Sequence, residues 1–473
     1  MIIGIKRMGG VDRMQIIIGS EIRVKDAPKE LHNWCKENLV LPNSEYQNRA
    51  RRGLWLGKTP QYVWLYWVDG SDLMLPVGVG KEIRKFMTPQ DTVKVQLADN
   101  GRLQYNGKIP LYEYQELAVR EMMQSSCGIL QSPCGSGKTQ MGIALAARLS
   151  RKTLWITHTQ DLLTQSYDRA AQYFPKETLG TVTAGKVQIG SHMTFATVQT
   201  LSKLDLAQYR NTWDVVIVDE CHRLSGTPTQ VKMFYKVMSS LAARYKYGLS
   251  ATVHRSDGMI RSTFAVLGPV TCRVPDEAVA EKTMQVRIIR RDTGIKTHRC
   301  CLDTDGTLKY NSLLEYLGGN QERNQLIARD LTSQQGHSCL VLSSRLAHLQ
   351  MIREQLPERL QERSVMIDGS MTSKRAKRQR EQAIEDMRSG KKDILFASFG
   401  LAKEGLDIPR LDRLFLISPQ KDYAVVTQSI GRIARVAPGK ADAVCFDYVD
   451  DIQFCQNQWK RRRAHYRKAG CEL

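Results

Sequence analysis

The sequence predicts an α/β protein with two tandem doubly wound domains, preceded by a small N-terminal domain that contains a β-hairpin. From about residue 110 onwards, short apolar runs alternate with helix-like segments. Such alternation is typical of parallel sheets covered by helices and joined by right-handed crossovers. The alternating region is about twice as long as one such unit, and residues 1–108 follow a different pattern. These observations favour two similar domains and one accessory domain.

Short apolar runs mark the expected strands of the two sheets, since strands buried on both faces lack polar alternation. The clearest runs are Leu154–Ile156, Val215–Val218, Leu340–Leu342, Ile394–Phe396 and Leu414–Ile417. We expect the first α/β domain at residues 109–275 and the second at 321–473. Residues 276–320 show no clear periodicity and are interpreted as the connection between them.

Charge indicates the kind of partner. The formal net charge of +21 favours polyanions, because each neutralised phosphate releases condensed counterions. A soluble protein that is merely basic is the alternative, and charge does not distinguish DNA from RNA. An apolar fraction of 42% argues against a disordered chain.

Composition also argues against a membrane protein and a zinc protein. The sequence has no uncharged apolar stretch of about eighteen residues, and its N-terminal apolar run is too short for a secretory signal. The 11 cysteines are scattered, without a paired Cys-x-x-Cys motif. Free thiols in the cytoplasm are therefore expected, with no zinc.

The first 108 residues carry a hairpin signal. Two apolar runs, Gln61–Val68 and Leu73–Val77, flank the turn sequence Asp69–Asp72. A basic and aromatic segment precedes them, with Arg49, Arg51, Arg52, Trp55 and Lys58. Such side chains can bind phosphates and stack on bases, or they can form a solvated edge beside core aromatics. We interpret residues 1–108 as an accessory domain and a candidate for DNA binding.

The most specific motif is Ser132–Thr139, which lies between the apolar run Gly128–Leu130 and a helix-like segment, Met141–Leu149. Strand, glycine-rich loop and helix in this order are typical of a phosphate loop, whose backbone N–H groups surround phosphates. Within it, Lys138 is expected at the β- and γ-phosphates and Thr139 at Mg²⁺. The predicted phosphate-binding residues are Gly135, Ser136, Gly137, Lys138 and Thr139.

A second motif, Asp219–Glu220–Cys221–His222, follows the apolar run Val215–Val218. A carboxylate at the end of a strand can hold Mg²⁺, largely through water, which predicts Asp219 as a metal ligand. Glu220 is then placed to orient and deprotonate the attacking water. A charged turn that caps a strand would explain this motif alone. Both motifs in this order indicate an NTPase.

With these motifs the sequence resembles superfamily 2 helicases of the DExH type, over about residues 111–447. The resemblance implies RecA-like domains that use ATP and Mg²⁺. Tyr114–Gln115 resembles the element that reads adenine, which implies that Gln115 contacts the base. Residues 248–252 resemble motif III, which couples the nucleotide to the nucleic-acid site. The coupling residues implied are His222, Ser250 and Thr252.

The second half carries two further motifs of this family. Ser398–Pro409 resembles motif V, and Gln428–Arg435 is an intact Gln-x-x-Gly-Arg-x-x-Arg motif VI. The spacing of Arg432 and Arg435 predicts that both lie on one helix face. The resemblance implies that they act across a cleft from Lys138 as arginine fingers. The nucleotide-binding and catalytic residues implied here are Gly405, Asp407, Gln428, Arg432 and Arg435.

Weaker motifs resemble the elements that contact the nucleic-acid backbone in this family. They are residues 157–162 (motif Ia), 195–201 (motif Ib) and 340–345 (motif IV), together with motif V. The contact residues implied are Thr159, Gln160, Thr197, Gln199, Ser343, Arg345, Ser398 and Lys403.

Residues 255–258, Arg-x-Asp-Gly, resemble the branch of XPB, RecG and phage UvsW-like helicases more than the DEAD-box RNA helicases. That branch implies an ATP-dependent helicase for forked, junction or single-stranded DNA in phage-type replication, recombination or repair. It further implies the cytoplasm of a bacterial or phage-infected cell, with phage or host replication and recombination proteins as candidate partners. The alternatives are a duplex translocase that remodels protein–DNA complexes, an RNA helicase, and a scaffold with a degenerate ATP site.

The C-terminal segment Trp459–Lys468 is a candidate helix that is basic and flanked by aromatic residues. Its cations either contact DNA phosphates or form a solvated terminal face.

Overall fold

The computed structural model divides the chain into two compact units. One comprises residues 1–133 with 137–274, and the other comprises residues 134–136 with 275–473. The residues that the structure describes are 13–133, 135–183, 185–224, 228–253, 260–275, 277–280, 283–367, 374–403, 406 and 408–473.

The N-terminal region of the first unit contains two small sheets and three helices. Its elements are β1 (Gln15–Ile18), β2 (Ile22–Lys25), α1 (Lys29–Asn38), β3 (Val40–Pro42), α2 (Ser44–Arg51), β4 (Tyr62–Trp64), β5 (Trp67–Asp69), β6 (Asp72–Leu75), α3 (Gly80–Ile83) and β7 (Thr92–Val95). One sheet has the order β5-β6-β2-β1-β7, and β3 pairs with β4 in the other.

The predicted hairpin is confirmed, because β5 and β6 are antiparallel and Asp69 lies opposite Asp72. The apolar run Gln61–Val68, however, is not one strand. Its first part, β4, pairs with β3, whereas β5 pairs with β6. Between them, the adjacent residues Leu65 and Tyr66 are both buried. Two consecutive buried side chains break the alternation of a single strand, so the chain changes sheet there.

The N-terminal region packs directly against the α/β part of the same unit. Its apolar core includes Leu31 and Cys35, which share one face of α1, and it extends to Ala265. Gly78 marks the closest approach: a Cβ atom there would lie 2.5 Å from the carbonyl oxygen of Ala265. Only glycine fits at that point.

The α/β part of the first unit is an eight-stranded sheet with helices. Its elements are α4 (Glu113–Met123), β8 (Cys127–Gln131), α5 (Lys138–Leu149), β9 (Thr153–Thr157), α6 (Gln160–Ala170), β10 (Leu179–Thr183), β11 (Lys186–Gln188), β12 (Met193–Thr197), α7 (Val198–Leu201), β13 (Val215–Asp219), α8 (Pro228–Ser240), β14 (Tyr245–Ser250), α9 (Ile260–Leu267) and β15 (Val270–Arg273). The strand order is β11-β10-β12-β9-β13-β14-β8-β15. Strand β11 is antiparallel to β10, and the other pairs are parallel.

The second unit is a six-stranded parallel sheet with helices. Its elements are α10 (Glu277–Ala280), β16 (Val286–Lys296), α11 (Tyr310–Gly319), α12 (Gln321–Ser333), β17 (Cys339–Ser343), α13 (Leu346–Glu354), α14 (Glu358–Glu362), β18 (Ser364–Ile367), α15 (Lys374–Arg388), β19 (Ile394–Ser398), α16 (Phe399–Lys403), β20 (Arg413–Leu416), α17 (Tyr423–Ile433), β21 (Ala443–Asp451) and α18 (Gln453–Lys468). The order is β16-β21-β20-β17-β19-β18. The five apolar runs identified in the sequence lie in β9, β13, β17, β19 and β20, which are parallel and buried.

Strand β16 lies within the segment that the sequence pattern marked as a connection. It is 11 residues long and pairs with β21 at the edge of the second sheet. From Arg290 to its last residue, Lys296, exposed positions alternate along it with more buried positions. Such alternation is typical of a strand with one solvated face, and such a strand lacks the continuous apolar run of a strand buried on both faces.

The predicted C-terminal helix, α18, is a structural part of the second unit. Its side chains Trp459, Arg462 and Tyr466 are buried. Arg462 donates two hydrogen bonds of 2.7 Å to the carboxylate of Asp447, and the Tyr466 hydroxyl donates one of 2.6 Å to the same group. Its outer face carries the exposed residues Lys460, Arg461, Arg463, Arg467 and Lys468.

Within the described ranges, no helix is both long enough and apolar enough to cross a bilayer.

Candidate functional site

The predicted phosphate loop follows β8 and leads into α5, and both of these elements belong to the first unit. Gly135 and Gly137 have φ values of +85° and +78°, in the left-handed region that favours glycine. Gly137 is the N-cap of α5, so the loop leads into a helix N-terminus whose first N–H groups attract anions. Ser136 is fully buried, and Cys134 lies outside the described residues. Gly137 and the N-terminus of α5 are therefore suited to bind an anion.

Gln115, on α4, lies against this loop. Its Nε2 atom is 2.5 Å from the position that a Cβ atom on Gly137 would occupy. Its Oε1 atom accepts a 3.0 Å hydrogen bond from the backbone N–H of Tyr112. The side chain is buried and fixed beside the loop. The backbone angle at 137 thus favours glycine, and a methyl group there would displace the amide of Gln115.

Lys138 and Glu220 come together above the loop. The Lys138 Nζ atom lies 3.4 Å from the carbonyl oxygen of Ser132 and 3.3 Å from that of Pro133. It is 4.0 Å from Glu220 Oε1. The ammonium group is therefore held at the loop by neutral acceptors and one carboxylate.

Asp219 and Glu220 lie at the carboxyl end of β13, which neighbours β14 and β9 in the sheet. Asp219 ends the strand and is buried, and its Oδ1 atom accepts a 2.9 Å hydrogen bond from Glu220 N–H. Glu220 has a φ of +48°, a strained conformation for a residue with a side chain. Oxygen donors from Asp219 and from Thr139, the second residue of α5, are the kind that Mg²⁺ prefers.

A hydrogen-bonded chain joins this turn to the end of β14. Ser250 Oγ donates to the carbonyl oxygen of Thr252 at 2.5 Å and lies 2.7 Å from Nδ1 of His222. Since a hydroxyl has one proton, His222 Nδ1 must carry the hydrogen of the second bond. The same Nδ1 atom lies 3.3 Å from Glu220 Oε2. The three predicted coupling residues are therefore hydrogen-bonded to one another, and the carboxylate of Glu220 lies beside His222.

The predicted nucleic-acid contacts of the first domain lie at the carboxyl ends of β9 and β12, which are adjacent. Thr159 and Thr197 are N-caps of α6 and α7, so their hydroxyls serve the helices. Gln199 Nε2 donates a 3.0 Å hydrogen bond to the carbonyl oxygen of His158, which joins the two segments. Gln160 and Gln199 are exposed.

In the second unit, Ser343 and Ser398 end the adjacent strands β17 and β19 and lie opposite each other. The Ser343 hydroxyl is buried between Ser418 Oγ at 2.8 Å and His348 Nδ1 at 3.2 Å. Arg345 donates to Asn311 Oδ1 at 2.8 Å. Lys403 ends α16. Gly405, Asp407 and residues 254–259 lie outside the described residues.

The predicted pair of arginines does not share a helix face. Gln428 is buried on α17, and Arg432 Nη1 on the same helix donates a 3.1 Å hydrogen bond to the carbonyl oxygen of Leu406. The helix ends at Ile433. Arg435 lies beyond it, opposite Thr283 in an isolated β-bridge. The backbone there pairs with another segment instead of continuing the helix, so the prediction of one helical face is wrong.

One buried cation was not singled out from the sequence. Lys246 on β14 is almost fully buried, and its Nζ atom donates to the carbonyl oxygens of Ser20 and Met238 at 3.0 and 2.8 Å. Burial lowers the pKa of Lys246 to about 7. A lysine within the run Tyr245–Ser250, otherwise apolar or small, was the available signal.

Among the residues that the structure describes, no group of three or more His, Cys, Asp or Glu side chains is arranged to hold a metal ion. A Mg²⁺ ion at a nucleotide takes most of its ligands from phosphates and water, so it does not need such a group. The ten described cysteines are free thiols.

Comparison with known families gives two matches. Residues 108–255 match the family described as "Type III restriction enzyme, res subunit". Residues 322–437 match the "Helicase conserved C-terminal domain". The first match contains the phosphate loop and Asp219–Glu220, and the second contains Gln428, Arg432 and Arg435.

Three curated relatives are similar over most of the chain. A putative ATP-dependent RNA helicase of Acanthamoeba polyphaga mimivirus is 25% identical over 357 residues, 74% of this chain and 65% of that protein, just under two thirds of its length. The DNA 3'-5' translocase XPB2 of Sulfurisphaera tokodaii is 25% identical over 361 residues, 69% of this chain and 79% of that protein. The ATP-dependent DNA helicase uvsW of Enterobacteria phage T4 is 23% identical over 446 residues, 86% and 84%.

Among solved structures, that of S. cerevisiae Dbp5 bound to RNA and ADP BeF3 is similar in fold, with a TM-score of 0.53 and 16% identity. It covers 75% of this chain and 88% of that one. This likeness supports the tandem RecA-like α/β architecture.

Proposed function

Because the chain is an ATP-hydrolysing helicase of superfamily 2, related to XPB and phage helicases, we propose that its substrate is DNA with forks or junctions. In this proposal it unwinds or branch-migrates such DNA during phage-type replication, recombination or repair. Candidate partners are phage or host replication and recombination proteins, in the cytoplasm of a bacterial or infected cell. The net charge of +21 supports a polyanionic substrate.

The observation that carries the proposal is the network from Glu220 through His222 and Ser250 to Thr252. It connects the carboxylate expected to act on water with the strand end that leads away from the nucleotide. A change at the phosphate is thereby transmitted to the backbone after β14. An ATPase without mechanical work has no need of such a link.

The roles proposed for the ATP site follow from the chemistry of its side chains. Lys138 and the loop N–H groups bind the phosphates, and Thr139 and Asp219 hold Mg²⁺, which neutralises charge on the phosphates when it is bound. Glu220 accepts a proton from the attacking water. Gln115 binds the adenine, and Gly405 and Asp407 contact the nucleotide. Gln428, Arg432 and Arg435 are assigned to catalysis, with the arginines stabilising charge at the γ-phosphate.

The exposed side chains Gln160 and Gln199 are proposed to contact the DNA backbone. Thr159 and Thr197 have hydroxyls engaged in helix caps, so their contribution is assigned to positioning the two segments. In the second unit, the contacts are assigned to Arg345, Ser398 and Lys403, while the buried hydroxyl of Ser343 positions its strand end.

The proposal is tested by comparing nucleic acids as activators of ATP hydrolysis. We expect a fork and a four-way junction to stimulate turnover more than single-stranded DNA, blunt duplex or RNA. Glu220→Gln is the control for hydrolysis, because it retains a hydrogen-bonding side chain without a base; we expect turnover to fall at least about 100-fold. Stimulation by RNA equal to that by any DNA would reject DNA as the substrate.

A second candidate function is a duplex translocase that displaces bound proteins without separating strands. The match of residues 108–255 to a restriction-enzyme subunit family favours it. A strand-displacement assay on a fork, run beside displacement of a protein from blunt duplex, distinguishes the two: activity only in the second assay supports the translocase.

A further inference from the structure

The N-terminal region exposes several large apolar side chains that are close in sequence. Six of them fall within fifteen residues of sequence, a region that we call the aromatic surface: Leu54, Trp55, Tyr62, Trp64, Trp67 and Val68. Trp55 is 84% exposed. Single exposed apolar side chains are normal, but a group of this kind indicates a binding surface.

Trp55 is exposed but held in place. Arg49 Nη1 donates a 3.1 Å hydrogen bond to its carbonyl oxygen. Its ring covers Gly57, where a Cβ atom would lie 2.9 Å from a ring carbon. Gly57 has a φ of +52°, so both the backbone angle and the ring require glycine. The indole is therefore preorganised and does not have to be ordered on binding.

The loop that carries Trp55 is closed by Asn43. Asn43 is buried, and its Oδ1 atom caps α2 by accepting from the N–H of Glu45 at 3.0 Å. Its Nδ2 atom donates to the carbonyl oxygen of Pro60 at 2.6 Å, and its backbone N–H donates to that of Gln61 at 2.9 Å. One side chain thus ties the start of the helix to the end of the loop.

The charge beside the aromatic surface favours a polyanion. Residues 44–58 contain Arg49, Arg51, Arg52 and Lys58 and a single acidic residue, Glu45. Arg49 is paired with Glu45 at 3.2 Å, whereas Arg51 and Arg52 are exposed on the last turn of α2 and just after it. Flat aromatic faces next to arginines match the bases and phosphates of an unpaired strand.

The aromatic surface is fixed to the first α/β domain. Trp67 Nε1 donates to Glu21 Oε1 at 3.3 Å, and the same oxygen accepts a 2.7 Å hydrogen bond from the Tyr235 hydroxyl of α8. Next to Glu21, the Ser20 carbonyl oxygen accepts from Lys246 on β14. Strand β14 ends at Ser250, so the surface is joined to the strand that carries the coupling residue.

We propose that the aromatic surface binds unpaired bases of DNA, with Trp55 as the stacking platform and Arg51 and Arg52 as phosphate contacts. This inference rests on the proposed function and adds a site outside the ATP and strand-contact motifs. Being fixed to the first domain, it holds one strand of a fork at a constant distance from the domain that hydrolyses ATP.

The test measures the affinity of the full chain for fluorescein-labelled single-stranded DNA and for blunt duplex by anisotropy. Trp55→Ala is expected to weaken binding of the single strand by about five- to hundredfold, because stacking on an aromatic side chain contributes that much per base. Blunt duplex affinity is expected to change less than about twofold. The Arg51→Ala, Arg52→Ala double variant is expected to lower the salt slope for the single strand by about 1.4.

The controls are Leu117→Ala, which removes an exposed apolar side chain from α4, and Lys186→Ala, which removes an exposed cation from β11. Both are expected to bind like the wild type. Trp55→Phe keeps an aromatic face and is expected to restore most of the affinity. Titration with oligo(dT) should quench tryptophan fluorescence in the wild type and much less in Trp55→Phe.

Single-strand affinity unchanged in Trp55→Ala would overturn the proposal and indicate a protein partner for the aromatic surface. An equal loss on blunt duplex would overturn base stacking. Failure of the proposed function is a separate result, since it appears as a wild-type ATPase that RNA stimulates as strongly as any DNA.

Discussion

At the ATP site, the hydroxyl proton of Ser250 determines which hydrogen bonds its neighbours Thr252 and His222 make. Ser250 donates to Thr252, so it can only accept from His222, and the imidazole is thereby fixed with its Nδ1 proton directed at Ser250. These residues were identified from their motif, but their shared proton network depends on two neighbouring strands.

Gly137→Ala is expected to abolish ATP binding, because the added methyl group meets both an unfavourable φ and Gln115 Nε2 at 2.5 Å. Gly185→Ala is the matched control, with φ of +83° and no atom within 4 Å of the added group. It shares only the backbone strain, about 1–2 kcal/mol. Nucleotide affinity, measured with a fluorescent ATP analogue, should be lost in the first variant and kept in the second. Equal affinity in both would contradict the steric argument.

Among the elements, α18 has a strongly basic sequence but is a helix of the core. Its sequence suggested a basic tail, yet the buried side chains of Trp459, Arg462 and Tyr466 attach it to β21. Deleting residues 459–473 would therefore remove part of the core. A test of DNA binding must instead use its outer face, for example Arg463 and Arg467.

Arg462→Met is expected to destabilise the second unit by about 3–5 kcal/mol, since it leaves the buried Asp447 carboxylate without its ion pair. Arg461→Met, one residue earlier and exposed, is the control and should change stability by less than about 0.5 kcal/mol. Urea denaturation followed by circular dichroism measures both. If the two variants unfolded at the same urea concentration, the buried ion pair would have no structural role.

At the scale of the whole molecule, each unit is built around its own parallel sheet. The N-terminal region is not a separate domain on a flexible tether, since its core reaches Ala265 and its turn at Ser20 is held by Lys246. Glu21 and Cys127 raise the pKa of that lysine and Arg210 lowers it, but burial dominates and leaves it at about 7. The junction between the N-terminal region and the first sheet is therefore sensitive to pH.

Between pH 7 and about 10 the unfolded chain binds a proton on Lys246 that the folded chain does not, so this group makes folding more favourable as pH rises. Below pH 7 both states are protonated and the contribution is constant. From pH 7 to 9 we expect the wild type to gain up to about 2 kcal/mol relative to Lys246→Met, measured by urea denaturation. The difference in free energy of unfolding between the two proteins cancels the contributions of the other titrating groups. Parallel pH profiles for the two proteins would refute the assignment.

Neighbouring residues alone specify several features of this protein. These are the phosphate loop with Gly135 and Gly137, the acidic turn at Asp219, and the apolar strands, since local backbone angles and periodicity specify them. Other features depend on contacts between segments that are far apart in the sequence. Pairing with β21 places β16 in a sheet, and pairing with β3 and with β6 divides Gln61–Val68 between two sheets. The exposure of Trp55 and the end of the helix before Arg435 also depend on the fold. Arg435, for example, pairs with Thr283, a residue far away in the sequence.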